Sequence, residues 1–311
     1  MDKVALIYPG QGSHSHDMFE GLLGIPSLKP VYDAAAKAFG IPPPVFKDYL
    51  RKADLSRTDN AQIAIYFRNH LLTLLLREQE PALKPDAAAG YSLGTYNAAS
   101  TANALRLEDA ISILIPRGRL MNEVSEAVGG GLVALIGGNP YGRIKEVEDN
   151  LKKKYGVHLS AVNSHDHITI GGPKDGLDKA VAFFDGSTTA INLKGVQGPF
   201  HTPHMKPVVG GLQPALDSVQ YTDPEFSIIA NTTGKVLQYK HEIKPELVGH
   251  LTMPIMWKDT LDTLDEMGIK VYIVIGDKAN NGRSSSTAKM IKQKNPKAEV
   301  IDVNNYTLGL L

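Results

Sequence analysis

Residues 87–104 read AAAGYSLGTYNAASTANA, a short apolar strand, a glycine-flanked serine turn and a helix-permissive run in direct succession. The turn, Gly90-Tyr91-Ser92-Leu93-Gly94, has the G-x-S-x-G pattern, in which a sharp strand-to-helix turn exposes a serine hydroxyl above a sheet. The serine would lie at a helix N-terminus, where free N–H groups and the positive dipole end favour a developing oxyanion. The segment therefore predicts an α/β fold with Ser92 as a nucleophile, and a purely structural turn is the alternative.

Strand-like runs with apolar residues on both faces recur along the chain, separated by helix-length segments. This alternation is typical of a parallel sheet covered by helices on both sides. One intervening segment has apolar residues at the spacing of a single buried helix face, which indicates core packing. The strand runs are 4–8, 87–89, 226–230, 271–275 and 300–303, and the helix face is Ile63, Phe67, Leu71, Leu74 and Leu75.

The middle of the chain has a different pattern. After Gly129-Gly130-Gly131, the order strand, helix, strand, strand, helix, strand is that of a ferredoxin-like unit. The six segments are 132–136, 141–155, 158–162, 167–170, 174–184 and 188–193. We therefore predict a parallel-sheet body at 1–128 and 196–311 and an inserted ferredoxin-like subdomain at 129–195. The triple glycine and the stretch 195–198 are the predicted hinges.

Composition excludes several classes of function for these 311 residues. The 33 Lys and Arg balance the 33 Asp and Glu, which argues against a general binder of nucleic acids or anionic membranes. The chain has no cysteine, and the histidine pairs 14/16 and 165/167 lack the further ligands of a metal site. No apolar run approaches 18 residues, and the N-terminus lacks a signal-peptide layout. We expect a cytoplasmic enzyme without a metal, cofactor, nucleic-acid partner or membrane partner.

A nucleophilic serine needs a base, and ten histidines are available. His201 lies in Pro199-Phe200-His201-Thr202-Pro203-His204-Met205, directly after the inserted unit, where the returning chain can face the serine turn. His204 competes for the same role. Near the N-terminus, Pro9-Gly10-Gln11-Gly12-Ser13 follows the first strand and lacks the Gly-Lys-Ser/Thr of a nucleotide P-loop. That turn is either an oxyanion-hole loop, a phosphate cradle or an ordinary strand-to-helix connection.

Several segments together resemble, in order and spacing, the motifs of the malonyl-CoA:acyl carrier protein transacylases. They are Pro9–Ser13, Gly90–Gly94, Arg117-Gly118-Arg119-Leu120-Met121 and Phe200–Met205, with Thr58–Gln62, Ala161–Asn163 and Pro254–Trp257 in further agreement. The resemblance covers nearly the whole chain. It implies an α/β-hydrolase-like body that carries the ferredoxin-like subdomain, with the active site in the cleft between them.

The resemblance also implies a ping-pong reaction. Ser92 would take malonyl from coenzyme A, and the phosphopantetheine thiol of an acyl carrier protein would then remove it. His201 would be the base, and the backbone N–H groups of Gln11 and Leu93 would form the oxyanion hole. Arg117 would bind the free carboxylate of malonyl through its planar fork of N–H donors.

Two further roles are implied by the resemblance. Phe200 would fill the space beside the malonyl α-carbon and disfavour α-branched donors. His250 stands where the family commonly has a glutamine, whose main-chain carbonyl orients the catalytic histidine. A backbone role tolerates this exchange, but an additional imidazole could perturb the pKa of His201.

The chain departs from the family pattern at other positions too. Tyr91 and Thr95 take the places of histidine and glutamate in G-H-S-x-G-E, so the packing of the turn must differ. Pro116 immediately precedes Arg117 and is expected to kink the helix, which could re-aim the arginine. Residues 276–280, Gly-Asp-Lys-Ala-Asn, replace a G-P-G-type turn.

Other functions remain open on this scaffold. An acyl hydrolase that clears carrier proteins would share the serine, base and oxyanion hole, although Arg117 favours transfer of an acid-bearing group. A malonyl-loading subunit of a larger assembly is the other alternative. Near the C-terminus, a set of basic residues is a candidate dock for an acidic carrier protein, with an ordinary solvated helix face as the alternative. The set is Arg283, Lys289, Lys292, Lys294 and Lys297.

Overall fold

A six-stranded sheet forms the body of the protein, and its strands come from both ends of the chain. The computed structural model describes residues 2–15, 17–184, 186–193, 196–277, 285–305 and 307–309, except the side chains of 146 and 147. The elements that precede the inserted unit are β1 (Lys3–Tyr8), α1 (Lys29–Phe39), α2 (Pro43–Lys52), α3 (Thr58–Gln79), β2 (Ala87–Gly90), α4 (Gly94–Thr101) and α5 (Leu107–Val128).

The inserted unit has its own four-stranded sheet. Its elements are β3 (Gly130–Ile136), α6 (Pro140–Asn150), β4 (His158–Ser164), β5 (His167–Pro173), α7 (Lys174–Val181) and β6 (Thr189–Asn192). The strand order is β4-β5-β3-β6, and each neighbouring pair is antiparallel. Both the order of elements and the pairing are those of a ferredoxin-like unit. The limits 129 and 195 stay a prediction, and the hinge residue Gly195 lies outside the described residues.

The chain then returns to the body. The elements are α8 (Lys206–Ser218), β7 (Ser227–Ile229), β8 (Val236–Leu237), α9 (Lys240–Thr252), α10 (Trp257–Glu266), β9 (Ile269–Ile275), α11 (Ser286–Lys294) and β10 (Glu299–Val303). The body sheet has the order β10-β9-β1-β2-β7-β8, parallel from β10 to β7, with β8 antiparallel at one edge. The five predicted strand runs all contribute to it.

Both faces of this sheet are covered, which explains why its strands are apolar throughout. In β1, Leu6 and Tyr8 belong to one hydrophobic core, whereas Ala5 and Ile7 belong to another on the opposite face. The predicted α/β class with a parallel sheet is therefore confirmed. The prediction of a single buried face for α3 is too narrow, because most of this helix is enclosed and 15 of its residues are buried.

The topology brings the loop Pro9–Ser13 and the turn around Ser92 to the same edge of the sheet. β1 and β2 are parallel neighbours in register, with Tyr8 opposite Gly90, so the loops that follow them leave the same edge of the sheet. Ligands of open α/β sheets bind outside such carboxyl ends. Among the described residues, none of the helices is long and apolar enough to cross a bilayer.

Candidate active site

The turn around Ser92 has the backbone strain of a nucleophile elbow. Ser92 has φ 53°, a left-handed conformation that is uncommon for residues other than glycine. A Cβ atom on Gly90 would overlap the backbone of Gly94, and a Cβ on Gly94 would overlap the carbonyl of Tyr8. Both glycines are therefore required because the turn folds on itself and packs directly on β1.

His201 is the histidine that reaches the serine. Its Nε2 atom lies 2.7 Å from the Ser92 hydroxyl oxygen, and its Nδ1–H donates to the main-chain carbonyl of His250. With the proton on Nδ1, Nε2 is free to accept the serine proton. His204 instead donates from Nε2 to the carbonyl of Gly156, at 2.7 Å. The geometry thus separates the two candidates and brings His201 alone of the pair to the serine.

The surroundings keep His201 neutral at neutral pH. Burial is the main cause that lowers the pKa of His201 to about 4, and the charge of Arg117 lowers it further. The hydrogen bond to the His250 carbonyl acts in the opposite direction. The two imidazoles do interact, since the His201 charge is among the causes that, after burial and Arg117, lower the pKa of His250. A neutral, correctly protonated imidazole is the form that a general base needs.

A network of hydrogen bonds that the sequence did not predict holds the backbone of the elbow. The side-chain oxygen of Asn231 accepts the N–H of Ser92 at 2.6 Å, and the side-chain nitrogen of Asn231 donates to the carbonyl of Gly90. Asn231 is fully buried, and its own N–H donates to the carboxylate of Glu246 at 2.7 Å. Burial raises the pKa of Glu246. Its position in the sequence could have indicated this role. Asn231 directly follows a predicted strand, so it lies at the same carboxyl edge of the sheet as the elbow.

The two residues predicted to form the oxyanion hole, Gln11 and Leu93, lie beside Ser92 on the wall of a small cavity. The Ser92 N–H is occupied by Asn231, whereas the N–H of Leu93 has no protein acceptor in the described ranges. The loop that holds Gln11 packs tightly on the elbow, because a Cβ on Gly10 would come within 2.7 Å of the Tyr91 carbonyl. The Gln11 side chain donates to Thr58, at 3.2 Å. The wall therefore carries both of the predicted oxyanion-hole residues.

Arg117 reaches the same cavity from α5. The helix continues through Pro116, so the expected kink does not remove the arginine from the site. One guanidinium nitrogen donates to the side-chain carbonyl of Gln62, and another lies 3.3 Å from Nε2 of His250. The guanidinium carbon lies 5.5 Å from the centre of the Tyr96 ring.

The charge of Arg117 has no counter-ion in the described part of the chain. Arg117 is 1% exposed, its Nε–H has no hydrogen-bond partner, and it forms no ion pair with a described carboxylate. Burial lowers the pKa of Arg117, but a guanidinium stays protonated in proteins. Burying such a charge without a partner is costly. The arrangement can therefore accept an anionic group beside the serine.

The cavity between these groups is small, with a volume of about 90 Å³. Its wall includes six of the predicted site residues, namely Gln11, Ser92, Leu93, Arg117, Phe200 and His201. His250 contributes from outside the wall, through its carbonyl. A neighbouring cavity of about 430 Å³ shares Leu132, Leu193 and Val196 with it and runs between α5 and the inserted unit. The seam between body and insertion thus holds two adjacent cavities.

Comparison with known proteins identifies the family to which this chain belongs. The model of the acyl transferase domain family matches residues 5–293. A malonyl CoA-acyl carrier protein transacylase of Bacillus subtilis is 31% identical over 282 residues, which are 89% of this chain and 87% of the relative. The chain belongs to the malonyl-CoA:acyl carrier protein transacylase family. The predicted family and enzyme class, an acyltransferase, are thereby confirmed.

Other members of the family agree in sequence and in fold. A malonyl CoA-acyl carrier protein transacylase of Haemophilus influenzae is 30% identical over 281 residues, 89% of each chain. The crystal structure of MCAT from Streptococcus pneumoniae is 28% identical, covers 99% of this chain and 100% of that chain, and superposes with a TM-score of 0.86. The fold shared with the transacylase structures, body and inserted unit together, therefore extends over nearly the whole chain.

The departures from the transacylase pattern are absorbed by local packing. Tyr91 lies with its ring edge-to-face on the buried Trp257, with the ring centres 5.5 Å apart. The hydroxyl of Thr95 donates to the carbonyl of Gly90 at 3.3 Å. Both residues therefore support the elbow. In the altered turn at 276–280, the Asp277 carboxylate accepts the N–H of Thr287 at 2.9 Å, and residues 278–280 lie outside the described residues.

Two of the basic residues predicted to dock a carrier protein form contacts with other residues of this chain. Lys294 pairs with Asp262, and Lys292 donates to the carbonyl of Ala298 at 2.6 Å. Arg283 lies outside the described residues. These contacts favour the alternative of an ordinary solvated helix face for Lys292 and Lys294. Among the described residues, no group of three or more His, Asp or Glu side chains is arranged to hold a metal.

Proposed function

We propose that this enzyme moves malonyl from coenzyme A to the phosphopantetheine thiol of an acyl carrier protein through a malonyl ester on Ser92. The observation that carries the proposal is the buried Arg117, which lacks a carboxylate partner in the described ranges and shares a 90 Å³ cavity with the Ser92–His201 pair. The names of the relatives from B. subtilis and H. influenzae support malonyl-CoA as donor and a carrier protein as acceptor.

The first half-reaction forms the ester. As the Ser92 oxygen attacks the thioester carbonyl, His201 Nε2 takes the serine proton, and the His250 carbonyl keeps the imidazole in the required tautomer. The negative charge that develops on the carbonyl oxygen faces the N–H groups of Leu93 and Gln11. The carbon–sulfur bond then breaks, and His201 returns the proton to the departing coenzyme A thiolate.

The second half-reaction reverses these roles. The carrier-protein thiol gives its proton to His201 and attacks the ester carbonyl of Ser92. The new thioester forms as the bond to the serine oxygen breaks, and His201 reprotonates that oxygen. The 430 Å³ cavity along the inserted unit is the proposed route for the phosphopantetheine arm, because it adjoins the catalytic cavity and shares Leu132, Leu193 and Val196 with it.

Arg117 selects the donor in this proposal. Its unpartnered Nε–H and its Nη groups offer the fork of donors that a carboxylate accepts in parallel. A neutral acyl group would leave this charge without a partner in a buried site. The same property weighs against a general acyl hydrolase, which has no use for a carboxylate-binding arginine. The reaction needs no cofactor besides the acyl-CoA substrate, and the cytoplasmic location stays a prediction.

The test of the proposed function is the fate of the malonyl group. Wild-type enzyme incubated with malonyl-CoA and a phosphopantetheinylated acyl carrier protein should form malonyl carrier protein faster than free malonate, as measured by intact-protein mass spectrometry and malonate release. A subunit that acts only within a larger assembly would show the ester on Ser92 without transfer to the free carrier protein. Release of malonate at the rate of coenzyme A release would instead identify a hydrolase.

Replacing Phe200 should relax the choice of donor. Phe200 is 3% exposed, lines the catalytic cavity and immediately precedes His201. In Phe200→Ser, the preference for malonyl-CoA over methylmalonyl-CoA in kcat/KM should fall by about 10-fold or more, since one methyl group in a packed pocket is worth about 1–3 kcal/mol. Phe200→Leu, which keeps most of the bulk, is the matched control and should stay close to wild type. An unchanged ratio in Phe200→Ser would show that another wall excludes the methyl group.

A further inference from the structure

The side chain of His250 has a contact that the backbone role of this residue does not explain. Its Nε2 atom lies 3.3 Å from a terminal nitrogen of Arg117, while the carbonyl of the same residue holds Nδ1 of His201. His250 is fully buried. One residue of α9 therefore touches both the base and the group that faces the donor's carboxylate.

The direction of this hydrogen bond is fixed by chemistry. A guanidinium can only donate, so Nε2 of His250 must present its lone pair, and the ring must be neutral with its proton on Nδ1. Burial, the Arg117 charge and His201 together hold the pKa of His250 well below its usual range, which agrees with a neutral ring. Among the described residues, Nδ1 of His250 makes no hydrogen bond of strict geometry, although the Glu246 backbone one turn earlier in α9 acts on the ring and opposes the fall in its pKa. The ring thus keeps its proton on Nδ1 while the other nitrogen faces Arg117.

Two side chains contact the terminal nitrogens of Arg117, since Gln62 accepts from one Nη group and His250 faces the other. The Tyr96 ring lies beside the guanidinium, and while burial lowers the pKa of Arg117, the Tyr96 hydroxyl acts in the opposite direction. Removing the His250 acceptor would free one end of the fork to rotate about the long side chain. Because binding a carboxylate through two parallel bonds depends on the plane of the fork, such rotation would weaken it.

We propose that the imidazole of His250 is a positioning residue that holds the Arg117 guanidinium in the plane needed to bind the carboxylate of the acyl donor. The inference rests on the proposed function. It assigns to the side chain a role in donor selection that is separate from the role of the carbonyl in orienting His201. Replacing the side chain retains that carbonyl, so the two roles can be tested apart.

The test compares His250→Leu, which fills the space without an acceptor, with His250→Gln, whose amide oxygen can accept from Arg117. The readout is the ratio of kcat/KM for malonyl-CoA to that for acetyl-CoA, because a loss of packing or of base orientation lowers both and leaves the ratio unchanged. In His250→Leu the ratio should fall about 10- to 100-fold, the range expected for a hydrogen bond to a charged group. The loss should lie mainly in KM for malonyl-CoA. His250→Gln should restore the ratio to within a few-fold of wild type.

A measurement on the unmodified chain makes the inference independent of whether His250→Leu folds. In a ¹⁵N-histidine spectrum, the signals missing from His250→Gln identify His250, and they should report a neutral ring with its proton on Nδ1 at pH 7. A charged ring or a proton on Nε2 would overturn the inference, as would equal ratios in wild type and His250→Leu. Wild-type enzyme that shows no preference for malonyl would overturn the proposed function itself, and this inference with it.

Discussion

Replacing Ser92 with alanine should abolish the covalent malonyl adduct and reduce transfer to the uncatalysed level, because this hydroxyl is the proposed attachment point. Intact-protein mass spectrometry after exposure to malonyl-CoA measures the adduct directly. The substitution is a clean one, since alanine and serine both place a Cβ at the left-handed φ of 53° and the elbow strain is unchanged. A full malonyl adduct on Ser92→Ala would place the nucleophile elsewhere.

The two histidines of the return loop provide the matched comparison for this experiment. His201→Ala should still form the adduct, but about 10²- to 10⁴-fold more slowly, the usual loss for a missing general base. His204→Ala should acylate at nearly the wild-type rate, because its imidazole binds the Gly156 carbonyl rather than Ser92. Greater damage from His204→Ala than from His201→Ala would contradict the assignment of the base.

The sequence predicts those parts of the molecule that depend on local or periodic signals. Apolar runs predict five of the six strands of the body sheet but not β8, which is only two residues long. The glycines of the elbow are needed for steric reasons that hold wherever the turn occurs. His201 could be proposed as the base but not separated from His204 by the residues alone. The separation depends on a contact of 2.7 Å between residues 109 positions apart, which no short pattern encodes.

The parts that the sequence did not predict are side-chain contacts between distant elements. Asn231 reaches the Ser92 N–H from the end of β7, and Glu246 reaches Asn231 from α9. Single-sequence patterns indicate that these positions follow a strand or lie in a helix, but not which side chain faces inward. His250 shows the same limit, because its proposed role was a backbone role and its ring contact with Arg117 depends on how α9 packs near α5.

The arginine on α5 offers the sharpest test of donor choice. Arg117→Ala should lower kcat/KM for malonyl-CoA by about 10²-fold or more, because breaking a buried charge pair typically costs about 3–5 kcal/mol. Transfer of acetyl should rise relative to malonyl, since the variant no longer buries an unpaired charge beside a neutral acyl group. Rates with malonyl-CoA and acetyl-CoA, measured on wild type and variant, give the comparison.

Arg119 supplies the matched control on the same helix. Its side chain is 62% exposed and pairs with Glu123 at 3.0 Å, so Arg119→Ala removes an equal charge without touching the cavity. It should leave the ratio of malonyl to acetyl transfer unchanged. Arg117→Lys should recover part of the malonyl rate but not all of it, because an ammonium keeps the charge and lacks the planar fork. If Arg117→Ala slows both donors equally, the arginine supports the cavity without selecting its ligand. The ratio of malonyl to acetyl transfer therefore decides whether the Arg117 guanidinium only supports the cavity or binds the carboxylate of the substrate.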